Sequence, residues 1–371
     1  MKIQFLFIAL FSTVLCLAQE HSHQSSRALE FPDVPGYKTL KTDLHQHTVF
    51  SDGNVWPTIR VMEALRDNLD VISLTEHIEY QPHKADIPHP DRNRSYELAL
   101  QEAKDHDLMI VHGSEITREA PMGHNNAIFI TDANKLLHDK AADAFAEAKN
   151  QGAFVFWNHP AWHAQSPQGN PILSDFQKER IKNGELHGIE VINTGDYAEE
   201  SLALALEHNL TIMGTSDIHG LIDWDYVEKG HTRPITLVFA KERTPEALRV
   251  ALLAGRTVAV FNSLLVGKEE NLVPLLKASI VVEKAKYIGS TSILEVTLKN
   301  VTSSDLMFEN QMPYTFYSSS PVFTIPAGES ITLNIKTLEK KSSILLKLKA
   351  LGAYTAPKVQ PEISWDITVV D

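Results

Sequence analysis

Short apolar runs bounded by polar residues recur through the first two thirds of the chain. Residues 71–75, 108–111, 154–157 and 211–216 are brief, apolar and partly β-branched, as strands buried in a parallel sheet are. Between them lie stretches of helical periodicity at 56–68, 141–151, 201–209 and 245–254. The pattern predicts an α/β barrel over residues 37–267. Beyond Gly267 the helical stretches stop, and apolar and polar residues alternate at 276–283, 292–298, 315–317, 330–335 and 343–348. Period-two runs separated by turn residues predict a small antiparallel β-sandwich of immunoglobulin type over 268–371.

Each apolar run of the first domain ends in side chains suited to metals. His45 and His47 lie in Asp43-Leu44-His45-Gln46-His47, where an extended chain turns both imidazoles to one face. The other runs lead to Glu76-His77, to Glu115, to Asn158-His159 and to Asp217-Ile218-His219. Any one such cluster is ordinary strand-end polarity. Five at the same place relative to five strands point to one site, because barrels of this kind gather functional groups at the C-terminal strand ends. Nitrogen and oxygen donors without thiolate favour Mn, Zn or Fe in a working site over a Cys-bound structural zinc.

The ordered motifs resemble those of the PHP (polymerase and histidinol phosphatase) superfamily. The matching segments are D-L-H-Q-H-T-V-F-S-D-G from Asp43, T-E-H from Thr75, G-S-E from Gly113, G-H-N-N from Gly123, N-H-P from Asn158 and S-D-I-H-G from Ser216. The resemblance spans roughly residues 40 to 265 and implies a distorted barrel of seven parallel strands with three divalent metal ions. It also implies the ligands: His45, His47 and Asp217 for one ion, His124 and His159 for a second, and Asp52, His77 and His219 for a third. Glu115 would bridge the first two. The interval before His124 varies in the family, with His112 and His138 as neighbours, but Gly123-His124-Asn125-Asn126 fits best.

The expected chemistry is hydrolysis of a small phosphoester, most readily a phosphodiester, by water activated between two ions. Asp217 and Glu115 would serve catalysis directly, Asp217 by accepting the water's proton and Glu115 by setting the metal spacing. His163 is the candidate proton donor to the leaving group, Arg94 a candidate phosphate contact, and Trp162, with Trp157, a candidate pocket wall. Arg92 shares the Arg94 loop. His231 and Arg233 are expected to be structural, because the start of the 235–239 strand should face away from the cleft. Histidinol-phosphatase-like monoester hydrolysis and a non-catalytic ligand-binding protein are the alternatives. The exported phosphodiesterases of this superfamily are the branch most similar in layout.

The chain's start suggests export. Lys2, an apolar run from Ile3 to Leu17 and the exit Ala18-Gln19-Glu20 form a signal peptide over residues 1–18, cleaved near Ala18, which places the protein in the periplasm or outside the cell. The run is too short to span a membrane. Leu15 is bulky for a lipobox, so Cys16, the only cysteine, is not expected to carry lipid, and the mature chain has no disulfide. Residues 19–36, with His21 and His23, are expected to form a flexible segment. The net charge of −13 becomes −14 when Lys2 leaves, because residues 1–18 hold no acid. That acidity, with no basic patch, argues against long nucleic acid as a substrate.

Overall fold

A computed structural model of the chain describes residues 27–370; the signal peptide and residues 19–26 lie outside them. In chain order the first domain runs β1 (Lys38–Asp43), α1 (Pro57–Arg66), β2 (Val71–Leu74), α2 (Arg94–Glu102), β3 (Met109–Ile116), β4 (Asn125–Ile128), α3 (Ala141–Asn150) and β5 (Phe154–Trp157). It continues through α4 (Asp175–Lys182), β6 (Gly188–Asn193), β7 (Asp196–Tyr197), α5 (Glu199–Glu207), β8 (Thr211–Thr215), α6 (Ile222–Asp225), β9 (Ile235–Ala240), α7 (Pro245–Leu253), β10 (Thr257–Phe261) and β11 (Leu264–Gly267). Two of the helices start at side-chain caps supplied by their sequences. Ser174 and Gln177 close a capping box on α4, and Thr244 accepts from Ala247 N–H ahead of Pro245 on α7.

These strands form a curled mixed sheet. β1, β2, β3, β5, β6, β8 and β10 share one direction, while β4 and β9 run against them. The α/β expectation holds, although the sheet is not purely parallel. β8 pairs with β6 and meets β9 and β10 through side chains: Thr236 Oγ1 donates to Gly214 O at 2.7 Å and Thr257 Oγ1 to Ile212 O at 2.7 Å. Gly214 permits that approach, since a Cβ there would lie 2.8 Å from Ile235 O.

The direction of β9 corrects one expectation. Because Thr236 pairs with Thr42 and Ala240 with Lys38, the start of β9 lies beside the end of β1, at the metal-donor end of the sheet. Arg233 is structural there, not remote: its guanidinium, 2% exposed, meets Asp43 at 3.2 Å and Asp67 at 2.7 Å. Asp43 in turn accepts from Ser216 N–H and Oγ–H, tying the ends of β1 and β8 together just behind the site.

The second domain holds β12 (Ile280–Tyr287), β13 (Ile293–Asn300), β14 (Leu306–Asn310), β15 (Thr315–Phe316), β16 (Val322–Ile325), β17 (Ser330–Lys336), β18 (Ser343–Ala350), β19 (Ala353–Tyr354) and β20 (Glu362–Thr368). Sheets ordered β12-β13-β17-β15 and β16-β14-β18-β20 face each other, and all their pairings are antiparallel, so this is an immunoglobulin-like sandwich as expected.

Two boundary expectations fail. Helices do not stop at Gly267, because α8 (Glu269–Ser279) follows and buries Leu272, Leu275, Leu276 and Ser279 at the spacing of a helix, not a strand. That face joins the cores of the two domains into one cluster running from Ile72 and Phe239 to Phe308 and Leu348. Residues 27–36 are likewise not a loose linker. Arg27 pairs with Asp67 and Asp223, Leu29 and Val34 are buried, and Ser303 N–H donates to Glu30 O at 3.0 Å. Arg233→Ala strands two buried carboxylates and should cost about 3–5 kcal/mol in denaturant unfolding; a loss below about 1 kcal/mol would show that Arg233 is dispensable to the fold.

Candidate metal centre

His45 and His47 follow β1, His77 follows β2, Glu115 ends β3, His124 precedes the antiparallel β4, His159 follows β5, and Asp217 and His219 follow β8. Isolated bridges of Gln46 to Ile218 and of His77 to Glu115 continue the sheet past its regular strands and carry these residues inward. The side chains expected to bind metal come together. His45 Nε2 lies 3.1 Å from both Glu115 and Asp217, and His47 Nε2 lies 3.1 Å from Asp217. His124 Nδ1 lies 2.6 Å from Glu115 and His159 Nε2 3.8 Å from Asp217. Asp52 meets His219 at 3.1 Å and His77 at 3.4 Å. The donor sets overlap: His47 joins Asp52, His77 and His219, while Glu115 joins His45 with His159 and His77 with His124.

The donor chemistry fits divalent cations. Most of these imidazoles have one nitrogen held by a neighbour while the other faces the cluster, which orients first-row metal ligands. His45 Nδ1–H donates to Glu190 at 2.8 Å, and His77 Nδ1 lies 2.6 Å from Thr117 Oγ1. His219 Nδ1–H donates to Asp217 O at 2.8 Å, and His47 Nδ1 lies 3.3 Å from Ser51 Oγ. The innermost pair is left over: Glu115 Oε1 and His124 Nδ1 are buried and close, yet neither has an aligned hydrogen bond. A carboxylate oxygen and an imidazole nitrogen left without aligned partners so close together suit a shared cation.

Electrostatics agree. Burial by itself raises the pKa of Asp52, Glu115 and Asp217, but the surrounding imidazoles hold all three well below the ordinary carboxylate range. Burial lowers His45 and His77, and the carboxylates overcome it: Asp217, Glu190 and Glu115 push His45 well up, and Glu115 and Asp52 push His77 up to about 11. Only burial prevails at His159, which is lowered. Protons on imidazole thus balance the buried acid in the metal-free protein, a charge that bound cations supply instead.

Backbone geometry marks the site as well. His159 at φ 28° and Asp217 at φ 51° occupy the left-handed region that non-glycine residues seldom adopt. Each is secured by its amide: His159 N–H donates to Glu190 Oε2 at 2.7 Å and Asp217 N–H to His45 O at 2.9 Å.

A cavity of about 660 Å³ opens over the donors, lined among others by Asp52, His77, His124, His159, Asp217 and His219. Trp162 and His163 also line it, and Trp162 stands edge-on to His159 with ring centres 5.3 Å apart. Arg94 is not brought there: it opens α2 and pairs with Glu97 at 3.1 Å on the surface. Trp157 packs in the core beside Gly123 instead of walling the cavity. Sequence reasoning missed Glu190. It is 2% exposed in β6, where it orients His45, holds the His159 amide and accepts from Thr215 Oγ1 and Asn193 Nδ2. Its signal was an acid alone in the otherwise apolar Gly188-Ile189-Glu190-Val191-Ile192. Glu76, at the end of its apolar run, joins none of the donor groups; buried, it accepts from Thr48 and Ser51 and shapes the loop after His47.

Fold and donor geometry together define a metal-dependent phosphoesterase of PHP type. In a comparison of solved structures, the chain is similar to a two-domain protein from Bacteroides vulgatus containing a predicted PHP-like metal-dependent phosphoesterase, at 39% identity and TM-score 0.84, over 92% of this chain and 98% of that one. This chain belongs to that PHP-like phosphoesterase family, in its two-domain form. Weaker likenesses include a protein from Bifidobacterium adolescentis described as a metal-dependent phosphoesterase (19% identity, TM-score 0.37, 48% and 88% of the two chains). Another is an amidohydrolase from Chromobacterium violaceum with bound sulfate and no metal (15%, TM-score 0.36, 48% and 87%). Residues 280–366 match a family model described as an Ig-like domain, DUF5001. No curated protein matches the sequence.

Two outcomes follow from the charge balance. Because His77 is raised to about 11, its stabilising contribution in chelator-treated protein is fully present below about pH 6.5 and lost as pH rises through about 11. Melting temperature should therefore fall across that window, and calorimetric metal binding at pH 7.5 should release protons; a flat melting profile together with no proton release would contradict the assignment. Glu190→Gln should weaken metal binding about 10- to 100-fold in a competitive chelator titration, and unchanged affinity would show that Glu190 orients nothing.

Proposed function

We propose that this protein is exported and hydrolyses small phosphodiesters at a centre of three divalent ions, Mn, Zn or Fe. His45, His47 and Asp217 would hold one ion, His124 and His159 a second with Glu115 bridging, and Asp52, His77 and His219 the third. Bound there, such cations supply charge for the transferring phosphoryl group and make coordinated water acidic enough to act as a nucleophile near neutral pH. The overlap of the donor sets at Glu115 supports closely spaced ions.

The observation that carries the diester reading is the charge of the cavity wall. Asp52, Glu190, Asp196, Glu200 and Asp217 line it, and among the described residues no lysine or arginine does. A monoester end brings two negative charges, and without a cationic side chain only the metals would meet them. A diester brings one. Its second arm also needs room and apolar contact, which a cavity of this size offers beside Trp162 and Tyr80, each about half exposed. The same wall disfavours a polyanion such as long nucleic acid.

The chain's own residues have separate tasks. Asp217, 3.1 Å from both His45 Nε2 and His47 Nε2 at the cavity floor, would accept a proton from the attacking water. Glu115, which meets His45 at 3.1 Å and His124 at 2.6 Å, would set the separation of the first two ions. His163, on the cavity wall with Nδ1 3.4 Å from Pro167 O, would protonate a departing alkoxide. Export rests on the pattern of residues 1–18 and is consistent with a single cysteine; no helix among the described residues is long and apolar enough to cross a membrane.

Loaded with Mn, Zn or Fe, the protein should turn over bis(4-nitrophenyl) phosphate faster than 4-nitrophenyl phosphate. The reverse preference would support monoester hydrolysis, and silence on both a binding role. Glu115→Gln and Asp217→Asn should each lower kcat about a thousandfold or more at full metal content, and near-normal rates would remove them from the mechanism. Fractionation of cells expressing the full chain should place it outside the cytoplasm, shortened near Ala18.

A further inference from the structure

One wall of the cavity is the segment joining β6 to α5, which contributes Asn193, Thr194, Asp196, Tyr197 and Glu200. Within the barrel it is held by the pairing of β7 with β6 and by Thr194 N–H to Thr215 O at 3.3 Å and Ala198 N–H to Val191 O at 2.9 Å. Its outer side is supported by the sandwich domain. The Tyr354 ring lies against Tyr197 with centres 5.9 Å apart and planes within 23°, and Lys358 N–H donates to Glu199 Oε1 at 2.9 Å.

The hairpin that provides them is itself anchored to the barrel. β19 pairs in parallel with β11, Ala353 beside Leu265 and Tyr354 beside Val266, so a strand of the second domain forms the edge of the first domain's sheet. Gly352 makes the approach possible, because a Cβ there would lie 2.5 Å from Ser263 O. Beyond β19 the hairpin closes on itself through Thr355 N–H to Val359 O at 3.0 Å. Tyr354 is absent from the cavity lining, and any influence it has on substrate passes through Tyr197.

We infer that the immunoglobulin-like domain sets the outer wall of the catalytic cavity, with Tyr354 a positioning residue that acts through Tyr197 on an aromatic or apolar arm of the substrate. This rests on the phosphoesterase reading above. The arm's chemistry follows from the wall: Tyr197, Trp162 and Tyr80 offer ring surface, and among the described residues no lysine or arginine lines it to draw a second anionic group. The domain thereby acquires a part in substrate choice as well as in stability.

The test uses the full, metal-loaded chain and two phosphinates, methyl(phenyl)phosphinate and dimethylphosphinate, measured by calorimetry; each carries the single charge of a diester, and its two P–C bonds are not hydrolysed. Tyr354→Leu should weaken methyl(phenyl)phosphinate about three- to tenfold, the size of an aromatic contact, and leave dimethylphosphinate affinity and metal content unchanged. Tyr354→Phe should match wild type, because the ring makes the contact. Tyr197→Leu should reproduce the loss, and the double variant should add nothing to it, as expected for residues acting in series. If Tyr354→Leu does not fold, Glu199→Ala removes the other tie and should show the same selective loss. Unchanged methyl(phenyl)phosphinate binding, equal weakening of both ligands, or lost metal overturns the inference alone. A wild type that binds neither phosphinate overturns it together with the phosphoesterase reading.

Discussion

Buried carboxylate that must be neutralised is the constraint on which the rest of this structure depends. Glu115 lies under the cavity with no access to water, Asp217 faces the cavity with little, Glu190 stands directly behind them, and Asp52 lies at the rim. Leaving such charges unpaired in a low-dielectric interior would cost more than a domain's entire stability. The fold answers with six imidazoles pressed into the same space, and the pKa directions show how completely the two sets of groups depend on each other. Metal ions satisfy the same demand with greater charge and firmer geometry. A site built this way is held in a strained, polar state that a hydrophobic core elsewhere must support.

That support is arranged in layers. Outside the donors, Glu190, Thr215, Thr117 and Glu76 fix ring orientations and loop shape. Outside those, Arg233 and Arg60 sit buried between elements distant in sequence. Arg60 donates to His47 O and Ile218 O, linking the carbonyls of two donor loops, and is itself paired with Glu63 at 2.6 Å. Arg233 links the β1 end to α1 through Asp43 and Asp67. Both guanidiniums have fixed, planar donor arrays suited to joining several acceptors at once. The positive φ of His159 and Asp217 is tolerated because these bonds over-determine the local backbone.

The second domain is continuous with the first. α8 carries apolar side chains into a core shared with both, residues 27–36 lie across the join, and β19 extends the barrel's own sheet. An immunoglobulin-like sandwich tethered by a linker would move freely relative to the cavity. This one is locked to it by strand pairing and a shared core, so the wall around Tyr197 has a defined position.

The sequence by itself determined which His, Asp and Glu side chains cluster under the cavity, the α/β class of the first domain and the sandwich of the second. Local signals sufficed: apolar strands ending in His, Asp and Glu, helical periodicity between them, and period-two alternation afterwards. Metal donors are legible because few uses of the chain require His-x-His, Asp-x-His and Glu-His at successive strand ends. The tertiary structure alone decided strand direction, and with it the place of Arg233 beside Asp43. It also decided that Glu190 stands behind two donors, that Arg94 lies away from the cavity, that 269–279 is helical, and that Tyr354 meets Tyr197. Each of these depends on which residues distant along the chain become neighbours. A lone acid in an apolar strand or a tyrosine in a hairpin has the same local pattern whether its partner is water, a core or a catalytic wall, so only the packed fold distinguishes them.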